Sequence, residues 1–320
     1  MKNFLYGLFA FLSIVATNAA VASQDTDRVL EQSQEVEFTY VYFTALSGEF
    51  HQVIIPNRQL ASALENGLKF DGSSIPGCTN IFNSDMHLAL DPRSFFVNPD
   101  REGQPKTARI FAYIYQDEEV PYLADPRYLL EQAISRAAER NCGFHMGVEM
   151  EFFLLEQDSQ GRITPWDNGC YFGAESNPEK ETIKLEMMQT LLDNGVIIEK
   201  LHHEVAPGQL EFSIRYNTPM EMADQVMLAK HIVNQVAKKH GLVATFMPKP
   251  MLGMNGSGMH IHLSIFDTDT KENLFFAPDA DACLSPVAHS CIAGILNRVA
   301  DGTIDRKSTR LNSSHLVISY

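Results

Sequence analysis

The chain has few cysteines, and they are poorly placed for any covalent or zinc framework. Cys78, Cys142, Cys170, Cys283 and Cys291 are odd in number, widely spaced and without a CxxC pair, which excludes a disulfide scaffold and a zinc knuckle. They read as reduced thiols. Also lacking is any run of Lys or Arg: 25 basic residues stand against 40 acidic ones, for a formal charge of −15. That balance offers nothing to a phosphate backbone, so nucleic acid is not an expected partner. The apolar stretch from Phe4 to Ala16 is too short to cross a bilayer as a mature helix, so no membrane partner is expected either. No internal repeat is found. What is present is 320 residues, 45% of them apolar, enough for two domains or one large one. A surplus of carboxylates ordinarily serves solubility unless particular ones converge.

Two ends stand apart. Lys2 ahead of Phe4–Ala16, with Ala20-Val21-Ala22 behind it, has the form of an export signal over residues 1–22. The closing residues 305–320, DRKSTRLNSSHLVISY, are polar and Ser-rich, unlike what precedes them, and are read as a tail of doubtful origin. Between the ends, Glu37–Phe43 and Phe50–Ile55 are β-branched and aromatic around Ser47-Gly48-Glu49, a hairpin signal. With a helical pattern over Asn57–Asn66 and a strand over Thr107–Tyr115, they form a small α+β unit over residues 35–120. Beyond it, Asp125-Pro126, Asn177-Pro178 and Thr218-Pro219 with Glu221 each read as a helix start, the last as a capping box. In the first of these helices Leu129, Leu130, Ala133, Ile134 and Ala137 share one face. Strands are expected at Met146–Leu155, Gln209–Arg215, Val243–Phe246 and Met259–Phe266, which makes residues 123–304 a layered α/β domain.

Four motifs could carry chemistry. In GVEMEF, Glu149 and Glu151 are two apart in a strand, so both point to one face beside apolar residues. Their mutual repulsion would be relieved by a cation, although a solvated strand face shows the same pattern. In HHEVAPGQLE, the Pro207-Gly208 turn can return Glu211 toward Glu204. In KPMLGMNGSGMHIHLS, a Gly-rich loop precedes a strand that puts His260, His262 and Ser264 on one face; it lacks the Walker order and a following helix, so it is not a P-loop. The stretch Asp71-Gly72-Ser73-Ser74, followed by Asn83-Ser84-Asp85, is ordinarily a turn. Glu149, Glu151, Glu204, Glu211 and His260 together offer hard oxygen donors with one imidazole, a set suited to Mg²⁺ or Mn²⁺ more than to zinc. Such a set points to phosphate chemistry.

In order and spacing these motifs resemble the type I glutamine synthetase family over roughly Glu37 to Gly302, most specifically in FDGSSIPGCTNIFNSDMHL and KPMLGMNGSGMHIHLS. The resemblance implies an α+β chain: a β-grasp N-terminal domain, an α/β catalytic domain and a double-ring homo-oligomer, a dodecamer at full length. It implies two divalent ions per site, one held by Glu151, Glu204 and Glu211 and the second by Glu149 with His260. Asn255 and Gly256 would bind glutamate, and His262 and Ser264 would lie on the ATP side. Asp71 from the adjacent subunit and Tyr171 would serve ammonium. The implied reaction passes through γ-glutamyl phosphate, which ammonia then converts to glutamine.

The resemblance ends near Gly302, before the arginines, the last metal ligand and the flap glutamate that the family carries further on. The 320 residues are therefore expected to be part of a catalytic domain and inactive alone. A cytoplasmic location is expected from the family, with export through residues 1–22 as the alternative. Other readings are a γ-glutamyl ligase acting on a polyamine or other amine, a non-catalytic homologue, and, from the carboxylates alone, a metal-dependent phosphatase or nuclease.

Overall fold

The structure, a computed structural model, describes residues 23–76, 78–79, 84–117, 119–299 and the backbone of 316–318. The signal-like segment 1–22, Asn83 and most of the tail lie outside these. Two compact units part between Leu130 and Glu131.

The first unit opens with a helix, α1, described over residues 23–32. Strands β1 (Phe38–Thr44) and β2 (Phe50–Pro56) form the expected antiparallel hairpin, and α2 (Leu60–Asn66) follows. Then come β3 (Leu68–Asp71), β4 (Asp85–Leu90), β5 (Phe96–Val97), β6 (Thr107–Asp117) and β7 (Val120–Pro121). The sheet order is β2-β1-β6-β4-β3, with β5 and β7 also on β6. Among the described residues of this unit, only the central β1–β6 pair is parallel. Val41, Phe43, Ile55, Leu88, Ile110 and Ile114 bury one face of this sheet in a core shared with Leu60 and Ala63 of α2. Strand β4 was not anticipated. Its inward alternation of Met86, Leu88 and Leu90 is a strand signal, but a short one beside a turn-rich stretch.

The helix α3 (Pro126–Ala138) starts where its sequence says. The Asp125 carboxylate accepts from the backbone N–H of Arg127 at 3.1 Å, Tyr128 at 3.3 Å and, across on β6, Ile114 at 3.1 Å. Its apolar stripe behaves otherwise than expected: Leu129 is 48% exposed, and the buried residue of the helix is Arg127. The first turn anchors this helix through polar contacts, argued in the Discussion, so periodicity alone misplaces its buried side.

The second unit holds β8 (Cys142–Gln157), β9 (Ile163–Pro165), α4 (Pro178–Asp193), β10 (Ile198–His203), β11 (Gln209–Asn217), α5 (Pro219–Lys239), β12 (Leu242–Thr245), β13 (Met259–Asp267), α6 (Pro286–Asn297) and β14 (Leu316–Ile318). The order β10-β11-β8-β13-β14 makes one sheet, with β12 and β9 on the far end of β8. All pairs are antiparallel except β13–β14. Alternation along β8 and β11 divides the faces. Val148, Met150, Phe152 and Leu154, with Leu210, Phe212 and Ile214, are buried, and α5 packs on β8, β11 and β12 while α4 packs on α5 and β10. Glu149, Glu151, Glu211 and Ser213 alternate with these residues and so share the opposite face.

Helix starts in this unit follow local chemistry with one difference. Asn177 Oδ1 accepts from the backbone of Glu179 at 2.9 Å and Lys180 at 3.3 Å. Asn177→Ala should therefore lower stability by about 1 kcal/mol, readable as a fall in the denaturation midpoint; an unchanged midpoint would show the cap to be idle. Thr218 does not close the expected capping box. Its hydroxyl donates to Glu221 Oε2 at 2.8 Å and caps no backbone N–H, because the two side chains satisfy each other instead.

Candidate metal and substrate site

Strand register assembles the site. Glu211 on β11 lies opposite Glu151 on β8 and opposite His202 on β10. One step along, Ser213 lies opposite both Glu149 and Lys200, and His260 on β13 lies opposite Glu149. Two rows of polar side chains thus cross four strands on one face: Lys200, Ser213, Glu149, His260, and beside them His202, Glu211, Glu151.

The β10–β11 connection brings Glu204 back over this face. Gly208 has φ +73°, and a Cβ there would sit 2.8 Å from the Leu154 carbonyl oxygen, so the tight return needs glycine. Donor atoms of Glu149, Glu211 and His260 lie within 4.8 Å of one another, and so do those of His202, Glu204 and Glu211. Glu211 belongs to both groups. His202 Nε2 is 3.2 Å from Glu211 Oε1, and its Nδ1 is 3.7 Å from Glu204 Oε1. Glu151 is in neither group as it stands. Its Oε2 accepts from Gln209 Nε2 at 2.8 Å and from the Gly258 N–H at 3.0 Å.

The electrostatics favour an added cation. Burial pushes the Glu211 carboxyl above its ordinary range, reinforced by the charges of Glu149, Glu204 and Glu151 against the counter-pull of His202. Burial also raises Glu151, with Glu204 adding to it. Glu149 alone of the three is lowered: burial opposes ionisation there, but His262, Lys200 and His260 outweigh it. Three carboxylates face one another, with Lys200 3.3 Å from Glu149 Oε1 and 3.9 Å from Glu211 Oε1. Oxygen donors plus imidazole in that arrangement fit a hard divalent cation.

Most of the remaining expected residues belong to the same unit as this group. The Gly-rich loop docks on it: Gly256 O accepts from Gln209 Nε2 at 3.0 Å, and the Glu151 N–H donates to Gly258 O at 3.1 Å. Asn255 is exposed in that loop. His262 Nε2 lies 3.3 Å from Glu149 Oε2, and Ser264 Oγ accepts from Asn273 Nδ2 at 3.4 Å. Tyr171 is 56% exposed and sits edge-on to His202, whose ring Phe172 stacks upon at 4.3 Å. Asp71 belongs to the first unit. Hydrogen bonds from the Ser73 and Ser74 hydroxyls and the Ser73 N–H, at 2.6, 2.7 and 2.9 Å, hold its carboxyl below the usual range.

Sequence reasoning passed over four participants. His202 lies between Glu211 and Glu204, Gln209 ties Glu151 to the loop, Lys200 faces Glu149, and Asp167 braces the turn. Asp167 Oδ1 accepts from Gly208 N at 2.7 Å, lies 3.0 Å from His203 Nε2 and accepts from Gly169 N at 3.3 Å. A Cβ on Gly169 would lie 2.4 Å from His203 Nε2, so glycine lets that segment close. Only the doubled histidine ahead of Glu204 could have flagged β10, since the other partnerships depend on register.

Asp167 also sets a pH dependence. Burial opposes its ionisation, yet hydrogen bonds from His203 and Gly208, with the His203 charge, leave its pKa lowered. A carboxyl whose folded pKa is depressed contributes stability that is complete above its unfolded value and lost as pH falls through the folded one. Asp167→Asn should therefore be less stable than the parent at neutral pH, with the gap closing in acid below the ordinary carboxylate range. Parallel curves from pH 7 to pH 3 would count against it.

A mixed β-sheet unit followed by an antiparallel sheet whose one face bears paired carboxylate–imidazole groups defines a class of α+β proteins with a candidate divalent-metal face. The glutamine synthetase catalytic-domain model matches residues 123–306, and the glutamine synthetase β-grasp model matches residues 35–117. The chain belongs to the glutamine synthetase family.

Among its relatives is the glutamine synthetase of Clostridium saccharobutylicum, 39% identical over 272 residues, covering 84% of this chain and 61% of that one. That of Methanosarcina mazei is 39% identical over 274 residues, 85% of this chain and 61% of its own. The chain thus spans about three fifths of the length of these relatives. Of solved structures, a GmaS/ADP complex superposes with TM-score 0.76 at 29% identity, over 88% of this chain and 66% of that one. Plasmodium falciparum glutamine synthetase superposes at 0.77 and 22% identity, over 87% and 60%, and shares the fold. No helix among the described residues is long and apolar enough to cross a membrane.

Proposed function

We propose that this chain carries the metal-binding part of a ligase that uses ATP to join ammonia to the side-chain carboxylate of glutamate. The observation that carries the reading is the pair of donor groups sharing Glu211, with Glu211 and Glu151 both raised in pKa by burial and by one another's neighbours. Two divalent ions, Mg²⁺ or Mn²⁺, would supply charge neutralisation for phosphoryl transfer from ATP. Glu204, Glu211 and Glu151, the last through the oxygen not engaged by Gln209, would hold one; Glu149 and His260 would hold the second.

The residues of the chain then divide the work. Asn255 and Gly256 position glutamate so that a side-chain carboxylate oxygen meets the terminal phosphorus of ATP, and ADP leaves. His262 and Ser264 line the nucleotide side. The ionised Asp71, offered from an adjacent subunit of a ring-shaped homo-oligomer, and Tyr171 hold ammonium. Asp71 takes one proton from the bound ammonium; the ammonia so formed attacks the acyl carbon of γ-glutamyl phosphate, phosphate departs, and the second proton shed by the nitrogen leaves with the phosphate. Its lowered pKa suits holding a cation ahead of that step.

The alternative acceptor is a polyamine or other amine, taken on the same side as Tyr171. Full-length protein supplied with ATP, Mg²⁺, glutamate and either ammonium or putrescine separates the two. Glutamine as the main product supports the first reading, a γ-glutamyl amine the second, and neither product removes both.

A further inference from the structure

Lys200 is the one cation of the polar rows that no assigned role uses. Its ammonium lies 3.3 Å from Glu149 Oε1 and 3.9 Å from Glu211 Oε1, two carboxylates that with His260 make up one donor group. Its place follows from the fold. On β10, residues 200 and 202 point to the same face, and register sets Lys200 opposite Ser213, whose other neighbour is Glu149. The Ser213 hydroxyl between them is buried without a partner. The side chain of Lys200 is 49% exposed, so it can leave. Beside it a cleft of about 340 Å³, lined by Phe172, Glu175, Glu181, Lys184 and Met188 among others, has room to receive it.

We propose that Lys200 is a built-in counter-cation of the Glu149–Glu211–His260 group, so that a divalent ion there binds only by displacing the Lys200 ammonium. This rests on the metal reading above. A unit positive charge 3 to 4 Å from two ligand oxygens repels an incoming cation and occupies its donors, whereas in the His202–Glu204–Glu211 group Lys200 approaches the shared Glu211 alone, and from the longer distance of 3.9 Å. The two ions should therefore bind with distinct affinities, the one beside His260 more weakly. Occupancy of that position would follow the free concentration of divalent ion over a range where the other is already filled.

Calorimetric titration of the full-length protein with Mn²⁺ alone, no nucleotide present, tests this directly. The parent should show a tight and a weak class of site. Lys200→Met, which keeps the apolar stem, should tighten the weak class by about tenfold or more, the scale of one screened charge near the surface, and leave the tight class in place. Lys200→Arg should behave like the parent, which separates charge from packing. Glu149→Gln is the control on the metal reading and should remove the weak class. If it does so while Lys200→Met changes neither affinity, the lysine is a bystander and the inference is wrong though the site stands. If Glu149→Gln also leaves both classes intact, the metal reading fails and the inference falls with it.

Discussion

Glu211→Gln is expected to weaken Mn²⁺ binding by more than about 100-fold and to abolish detectable synthesis in the full-length protein. Altering partners that merely support a metal ligand typically costs 10- to 100-fold, and Glu211 contributes to both donor groups, so its loss should exceed that range. The same substitution should raise the stability of the metal-free protein at neutral pH. A carboxyl whose folded pKa is raised makes its stabilising contribution in full below the unfolded value and loses it as pH climbs through the folded one. Glu211 is such a group, so at pH 7 the parent bears the cost of ionising it beside Glu149, Glu204 and Glu151. Removing the charge removes that cost, and the advantage should vanish in acid below the ordinary carboxylate range. Added Mn²⁺ should reverse the ranking, because an ion that binds only the folded state stabilises it by mass action. A variant less stable than the parent without metal, or equally stabilised by Mn²⁺, would remove Glu211 from the ligand set.

The face that holds Glu211 was partly legible. Two acids at i and i+2 in a run as apolar as GVEMEFFLL must share a side of a strand, and Glu149 and Glu151 do. The Pro207-Gly208 return of Glu211 was equally local. Register was not legible, because pairing of β10 with β11 and of β8 with β13 joins residues as much as 111 apart, as His260 and Glu149 are. Hence Lys200, which no motif marks, entered only with the sheet, and so did the pairing of His202 with Glu211. The Asp-Gly-Ser-Ser turn is a turn, with both serine hydroxyls donating to Asp71. Helix α3 marks the opposite limit: its start was readable from Asp125-Pro126, but the side it buries was not, since that side is chosen by one charged residue.

That residue, Arg127, underlies the largest expected loss of stability. Its guanidinium donates to Asp91 Oδ2 at 2.6 Å, with side-chain exposures of 5% and 4% for the two partners, and it lies over the Tyr113 ring at 4.6 Å. Asp91 also accepts from Arg93 Nε at 2.9 Å and Nη2 at 3.1 Å, but Arg93 is 57% exposed and counts for less. Removing one member of a buried ion pair leaves the other charged and desolvated, at a cost of about 3–5 kcal/mol. The two single changes should nevertheless differ. Asp91→Ala takes the buried carboxylate from Arg127 and also the acceptor from the Arg93 N–H, so it should reach the upper part of that range. Arg127→Met leaves Asp91 with Arg93 for company and preserves an apolar stem over Tyr113, so it should fall at the lower end or below. Replacing both, Asp91→Leu with Arg127→Met, should recover much of the loss, because an apolar pair has no buried charge to compensate. Urea denaturation of the four proteins measures this as shifts in midpoint at constant slope. Equal losses from both single variants, or a double variant as unstable as the sum of the two, would show that the first turn of α3 is held by something other than this charge pair.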